Sequence, residues 1–357
     1  MNKQLNKIAI LPGDGIGPEV VAQGVKVLKA VMQKFSLNIE LNEGLIGAIA
    51  IDETGEPFPA QTQQLCEEAD AILLGAIGHP KYDNDPTLTV RPEQGLLKMR
   101  KELGLYANIR PIRLFPALSK LSVIKEELLE GVDFVIYREL TGGIYFGKKT
   151  RTKDYAVDEC SYHRYEIERI AKLAFEEAMQ RNRELCLIDK ANVLDSSRLW
   201  REVVGEMGKA YPEVNVSYLY VDNAAMQIVL NPRQFDVVLC SNMFGDIISD
   251  ESSVLVGSLG LLPSSSKGDG AYLYEPIHGS YPQAAGKDIA NPIATILSVE
   301  MMLRDFGHVE AANVIQNGVN YCIENGLWTS DLGGKKRCSE IGDAIVGYIS
   351  ELAVLSL

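Results

Sequence analysis

A chain of 357 residues, 46% apolar and 23% charged, carries enough apolar material for about two domains. Its net charge of −13 argues against sequence-independent binding to nucleic acid or to an anionic membrane. No apolar run reaches the length of a membrane span, and MNKQLNKIAILPG enters a strand too early to be a secretory signal, so the expected location is the cytoplasm.

Residues 7–11, KIAIL, read as a strand that runs into a glycine-rich loop, Pro12 to Glu19, and a helix over 19–35. Gly13 and Gly15 fit the first two glycines of a dinucleotide fingerprint, but Pro18 stands at the third. Proline suits a helix start instead, so a classical Rossmann fold is rejected. What remains is a loop whose backbone can approach something closely. Residues 37–42 and 71–75 read as strands and 57–68 as a helix; this alternation indicates an α/β fold with a parallel sheet. A long loop over 78–91 follows, of a length that is usually functional.

A helix over 91–104 places Glu93, Leu96, Leu97 and Arg100 on one face, and Arg110 ends a strand over 106–109. That face suits a ligand with a carboxylate and a branched apolar end. From spacing alone an ordinary amphipathic helix with a solvated arginine is the favoured reading. Residues 132–137 form a buried strand leading into Arg138, and 150–166 read as a hairpin arm. A helix over 165–182 precedes a strand ending on Lys190, which is either a surface lysine or chemistry at a strand tip. A helix over 196–211 and a strand over 214–221 bring the chain to Asp222.

Residues 236–240 form another buried strand, followed by a turn at 241–242 and a helix from about Phe244. Asp246 and Asp250, four apart, share one face of it. Two carboxylates on an apolar helix either cap its N-terminus or hold a hard divalent cation. A loop over 272–280 leads to Asn291-Pro292, which opens a helix of about fourteen residues with asparagine as cap and proline at its first position. Helices over 308–325 and 339–355 close the chain. The six cysteines show no C-x-x-C pair and read as reduced thiols; the four histidines show no zinc spacing.

The ordered set LPGDGIGPE (11–19), RPEQGLLKMR (91–100), RELTGGIYFG (138–147), DKANVL (189–194), VDN (221–223), NMFGDIISD (242–250) and GKDIANP (286–292) closely resembles the isocitrate/isopropylmalate β-decarboxylating dehydrogenases. The resemblance covers nearly the whole chain. It implies a two-domain fold of that family, with residues 1–105 and 257–357 on the cofactor side and 106–256 carrying the substrate and metal residues, the arm and the dimer contact. It further implies metal- and NAD-dependent oxidative decarboxylation of 3-isopropylmalate to 4-methyl-2-oxopentanoate, in leucine biosynthesis, by a homodimer with shared active sites.

By the same resemblance, Arg100, Arg110 and Arg138 hold the malate carboxylates, and Leu96 and Leu97 meet the isopropyl group. Asp246 and Asp250, with Asp222 from the other subunit, ligate Mg²⁺ or Mn²⁺ and the substrate with it. Lys190, also from the other subunit, takes the hydroxyl proton, and Tyr145 protonates the enol. Ile16, Glu93, Glu275, His278, Gly279, Ser280 and Asn291 hold NAD. Gln283 stands where the family usually has an aspartate on the ribose, which loosens the expected preference for NAD over NADP. His79 and Tyr137 also depart from the family pattern, with no role to assign from sequence.

Overall fold

The computed structural model describes residues 4–83 and 87–351. The chain divides into two compact units, one formed by residues 1–104 with 258–357 and the other by 105–257. The strands among the described residues are, in chain order, β1 (Lys7–Gly13), β2 (Glu40–Glu43), β3 (Ala71–Ala76), β4 (Leu105–Arg113), β5 (Asp133–Glu139) and β6 (Lys149–Arg151). There follow β7 (Ala156–Asp158), β8 (Glu184–Asp189), β9 (Asn215–Tyr220), β10 (Val237–Cys240), β11 (Pro263–Gly268) and β12 (Tyr272–Pro276).

In the first unit the strand order is β2-β1-β3-β12-β11, parallel except for the β11–β12 pair. β3 is buried along its whole length, as a strand covered on both faces should be. The Gly17–Lys34 helix packs on β1 and β3 and against the Cys338–Glu351 helix, and the helices Ile293–Asp305 and Val309–Glu324 complete the layer. The first helix starts at Gly17, two residues before the expected Glu19, with Pro18 in its first turn. A short helix at Ala48–Thr54 was not expected; its sequence, AIAIDET, offers no cap of its own. Asp14 supplies one, accepting from the amides of Ala48 and Ile49 at 2.9 and 3.1 Å.

In the second unit the order is β4-β5-β10-β8-β9, parallel except for β4–β5. Side chains alternate across a strand, and here the alternation sorts core from site. Val135 and Tyr137 of β5, Leu185 and Leu187 of β8, and Val237 and Leu239 of β10 join one buried cluster with Phe175 and Trp200. These last come from the packed helices Arg164–Gln180 and Asp195–Gly208. Tyr137 thereby acquires a role: it faces this core and donates from its hydroxyl to Glu177 at 3.1 Å. The opposite face carries Arg138 and is covered by the Asn242–Val256 helix.

Several expected boundaries move. Arg110 does not end a strand but sits within β4, and Arg138 lies within β5. Asp222 does not close a strand; it lies in the first turn of the helix Val221–Leu230. The helix after β10 begins at Asn242 rather than near Phe244. The one after Asn291 begins at Ile293, with Pro292 rather than Asn291 at the cap position; the Asn291 carboxamide accepts from the Ile293 amide at 3.1 Å. Of the expected hairpin over 150–166, β6 and β7 pair antiparallel between residues 149 and 158, and the next helix already begins at Arg164. Residues 84–86 of the expected 78–91 loop and 352–355 of the last expected helix lie outside the described residues.

All six cysteines are free, and five are buried. Burial pushes the thiols of Cys66 and Cys338 up to about 12 and those of Cys186 and Cys322 up to about 11. They therefore stay protonated and unreactive in the native state. A thiol-specific disulfide reagent at pH 8 should label no more than one cysteine per native chain and the full set after unfolding. A second native label would contradict this burial. Phe175→Ala should destabilise the second unit by about 3–5 kcal/mol, because the ring is fully buried and stacks on Tyr211 at 4.7 Å. The check is the midpoint of urea unfolding.

Candidate active site

The second unit builds its polar centre from strand pairing. β4 and β5 are antiparallel, with Asn108 opposite Arg138 and Arg110 opposite Ile136. Arg110 and Arg138 are therefore diagonal neighbours on the same face, the one turned away from the aromatic core. Both are buried, at 9% and 5% exposure, so each guanidinium needs partners to offset lost hydration. Arg110 donates from Nε to Asn108 Oδ1 at 2.7 Å and from Nη1 to Ser249 Oγ at 2.6 Å and Asp250 Oδ1 at 3.0 Å. Arg138 donates to Asn242 Oδ1 from Nη2 at 2.9 Å and from Nη1 to Asp246 Oδ1. Asp246 also lies 3.9 Å from the Arg110 guanidinium.

The Asn242–Val256 helix lies close enough on β5 to make these contacts because residue 245 is glycine. A Cβ there would lie 2.6 Å from Arg138 Cγ and 2.8 Å from Arg138 Cβ. The two aspartates stand in the second and third turns, and the first turn contains no acid. The capping alternative for them is thereby excluded: they face arginines, not helix amides. Tyr145, in the short turn Gly143–Tyr145, donates from its hydroxyl to Asp246 Oδ2 at 2.9 Å. The Arg138 guanidinium lies 5.8 Å from its ring centre. Burial and then the hydrogen bond to Asp246 push the phenol above its ordinary range.

Lys190 and Asp222 form a separate pair, with Nζ 2.8 Å from Oδ1. Lys190 follows β8 directly, and Asp222 opens the neighbouring helix after β9. The lysine bond holds the exposed Asp222 carboxyl below its usual range. Among the described residues no three His, Cys, Asp or Glu side chains gather as metal ligands, so one chain alone does not bring Asp222 to Asp246 and Asp250.

The first unit brings together most of the expected cofactor residues. The glycine-rich loop does approach something closely, and it is the chain itself: the Ile16 amide donates to the Ser280 carbonyl at 2.8 Å. Gly15, at φ +59°, leaves no room for a side chain, since a Cβ would lie 2.0 Å from that carbonyl. The two acids of the motif are fasteners. Asp14 also accepts from the Gly78 amide at 2.9 Å, and Glu19 accepts from the amides of Gly286 and Asp288. Ile16, His278, Gly279 and Asn291 line one cavity of about 450 Å³ with Asp331, a residue that no spacing signalled. Asp331 accepts from Asn291 Nδ2 at 3.0 Å and from Ser258 Oγ at 2.5 Å. His278 Nε2 is buried without a hydrogen-bond partner, and burial keeps the ring below its ordinary pKa, hence neutral.

The helix Pro92–Glu102 carries Glu93 exposed, Leu96 half-buried, Leu97 at 42% exposure and Arg100 half-buried. Arg100 pairs with Glu275 at 3.1 Å, while its Nε is buried without a partner. Gln283 falls in the short turn Pro282–Ala284 that follows Tyr281, whose φ is +38°. His79 accepts from the Lys81 amide at 3.2 Å, a local turn contact.

A family model described as isocitrate/isopropylmalate dehydrogenase matches residues 7–345. The chain belongs to the isocitrate/isopropylmalate dehydrogenase family. A 3-isopropylmalate dehydrogenase of Bacteroides fragilis (strain YCH46) is 51% identical over 347 residues, covering 96% of this chain and 98% of its own length. Among solved structures, an isocitrate dehydrogenase from Methylococcus capsulatus superposes with a TM-score of 0.86 at 32% identity, covering 97% of this chain and 99% of that one. A β-decarboxylating dehydrogenase from Thermococcus kodakarensis gives 0.82 at 36% identity, with 98% of each chain covered. Sequence reasoning missed Asn242 and Asn108 as site residues in this family member. Both are neutral acceptors that hold the two arginines, and a lone asparagine carries no spacing signal.

Gly245→Ala should displace Arg138 and lower the dehydrogenase's kcat/KM for its acid substrate roughly tenfold or more, with an overpacking cost of about 1–3 kcal/mol. Kinetics and the melting temperature test this. Wild-type values for both would show that the helix has room to move.

Proposed function

We propose that the chain catalyses the metal- and NAD-dependent oxidative decarboxylation of 3-isopropylmalate to 4-methyl-2-oxopentanoate, a step of leucine biosynthesis. The observation that carries this reading is the convergence of Arg110 and Arg138 on Asp246, Asp250 and the Tyr145 hydroxyl. Paired guanidiniums suit the carboxylates of a malate, because each presents parallel donors to two oxygens. The name and 51% identity of the Bacteroides relative favour the isopropyl substrate over isocitrate. We assign Leu96 and Leu97 to the isopropyl group and Arg100, with its unpartnered buried Nε, to a carboxylate.

Asp246 and Asp250 are hard oxygen donors one helical turn apart, which fits Mg²⁺ or Mn²⁺. Asp222 of the partner subunit would complete the set. When bound, the ion acidifies the substrate's C2 hydroxyl and stabilises the negative charge left as CO₂ departs. Lys190 of the partner subunit would accept the hydroxyl proton, directly or through water, and NAD⁺ would supply the hydride acceptor for C2. Tyr145, kept protonated by burial and by Asp246, returns a proton to the enol. Arg110 and Arg138 hold the carboxylates throughout.

The cavity lined by Ile16, His278, Gly279, Asn291 and Asp331 suits the adenosine of NAD, since the unpartnered His278 Nε2 offers it a hydrogen bond. Glu93, Glu275 and Ser280 complete the cofactor set. In this reading the first unit is the cofactor side, and the second carries the substrate and metal residues. Homodimerisation is supported by apolar side chains left exposed on two packed helices of the second unit: Met226 and Leu230 on one, Ile247 and Val254 on the other. No helix among the described residues is long and apolar enough to cross a membrane. We place the enzyme in the cytoplasm, without nucleic-acid or membrane partners.

The purified chain with Mg²⁺ should reduce NAD⁺ on 3-isopropylmalate, and roughly 10- to 200-fold less efficiently on acids lacking the isopropyl group. EDTA should abolish turnover, and Asp246→Ala should cost roughly 10²–10³ in kcat. Faster reduction with isocitrate would keep the chemistry but overturn the roles of Leu96 and Leu97.

A further inference from the structure

Glu139 is fully buried, and neither the arginine platform nor the proton relay uses it. It ends β5 one residue after Arg138. Its Oε1 accepts from the Thr141 amide at 2.9 Å and the Thr141 hydroxyl at 2.8 Å, with Arg169 Nη2 at 3.4 Å. Its Oε2 accepts from the Gly142 amide at 2.7 Å. Every partner is a donor, so the position calls for a group with two acceptor oxygens. A glutamine would turn an NH₂ toward a backbone N–H whichever way it faced. A buried carboxylate is a costly choice where an apolar side chain could fill the space, and burial pushes this one above the ordinary carboxylate range.

What the carboxylate fixes is a turn, and the turn carries Tyr145. Gly143, at φ +73°, lies under Tyr162, where a Cβ would be 2.3 Å from the phenol oxygen. The Gly143 amide donates to the Ser161 carbonyl at 3.0 Å, and the Gly143 carbonyl accepts from the Gly147 amide at 3.0 Å. Tyr162 Oη accepts from the Asn242 amide at 2.9 Å, which ties the turn to the helix that carries Asp246. Arg169, bonded to the Thr141 hydroxyl, stacks over Tyr106 at 4.4 Å and closes the turn from its other side. The chain from Glu139 to Tyr145 runs through Thr141, Gly142 and Gly143, and each of these three is held by a hydrogen bond.

We propose that Glu139 is a positioning residue for proton donation: through the Thr141–Gly143 turn it sets the Tyr145 hydroxyl at its place beside Asp246. The proposal rests on the reading of Tyr145 as the group that protonates the enol. Misplacing a reacting group by about an ångström costs on the order of 10²-fold in rate. The bonds of Glu139 go to Thr141, Gly142 and Arg169 rather than to residues assigned to substrate or cofactor, so its loss should appear in kcat and leave KM for both substrates unchanged.

The experiment is steady-state kinetics on Glu139→Gln, Tyr145→Phe and the double variant, in the full-length enzyme with Mg²⁺, NAD⁺ and 3-isopropylmalate. Glu139→Gln should lower kcat roughly 10- to 100-fold, with KM unchanged. It should cost nothing further in the Tyr145→Phe background, since a residue acting only through Tyr145 has nothing left to position. A merely structural role would give losses that multiply in the double variant, and that result overturns the proposal, as does a wild-type kcat for Glu139→Gln. If Glu139→Gln does not fold, Thr141→Val carries the same test. It should reduce kcat several-fold and lose that effect beside Phe at 145, and a multiplied loss again overturns the idea. A wild-type chain inactive on 3-isopropylmalate overturns the functional reading and this proposal with it; an active wild type with multiplying losses overturns the proposal alone.

Discussion

Two guanidiniums side by side on one face of a sheet are the constraint around which the second unit is arranged. Arg110 and Arg138 are nearly sealed from water, and two such charges repel each other unless anions and acceptors surround them. The helix that lies on them meets that need with Asp246, Asp250, Asn242 and Ser249, all on the side it presents to the strands. A buried charge cluster of this kind is a poor source of stability, because desolvation offsets most of the attraction. It is a good source of geometry. Each arginine is bonded at more than one nitrogen, so both guanidiniums are held in a fixed orientation by the chain itself.

The aromatic core makes this tolerable by standing on the other side of the same strands. Tyr137 and Arg138 are adjacent in sequence, yet one packs among Phe175 and Trp200 and the other joins the charge cluster. The pleat separates hydrophobic packing from polar chemistry by one residue. It also means that a one-residue slip of β5 would turn the arginine into the core.

Much of this was legible in the sequence, and the limits have physical causes. β3, β8 and β10 are short apolar runs buried on both faces, and such runs announce themselves. The helix at Ala48–Thr54 was not legible, because its cap comes from Asp14, more than thirty residues earlier. Arg110 read as a strand terminus because the apolar run ends at Ile109, yet the strand continues along β5 to Arg113. Asp222 read as a strand end because the apolar run before it carries no turn signal, whereas the chain passes directly from β9 into a helix. The pairing of Asp246 and Asp250 was visible as spacing. That their partners within the chain are arginines could not be seen, since the strands that supply them lie over a hundred residues away. The Lys190–Asp222 pair and the bonds of Glu139 to the Thr141–Gly142 turn are tertiary facts of the same kind.

The glycine-rich motif near the amino terminus has a consequence for reading related chains. Asp14 and Glu19 spend their carboxylates on backbone amides at Ala48, Ile49, Gly78, Gly286 and Asp288, and Gly15 exists to let one loop touch another. That signature is a clasp between distant parts of one unit. A descendant that had lost Tyr145, Asp246 and Asp250 would still need these contacts to hold the unit together. The motif therefore certifies architecture and says little about catalytic competence. A chain carrying it should be judged an enzyme or a retired copy on other residues than Asp14, Gly15 and Glu19.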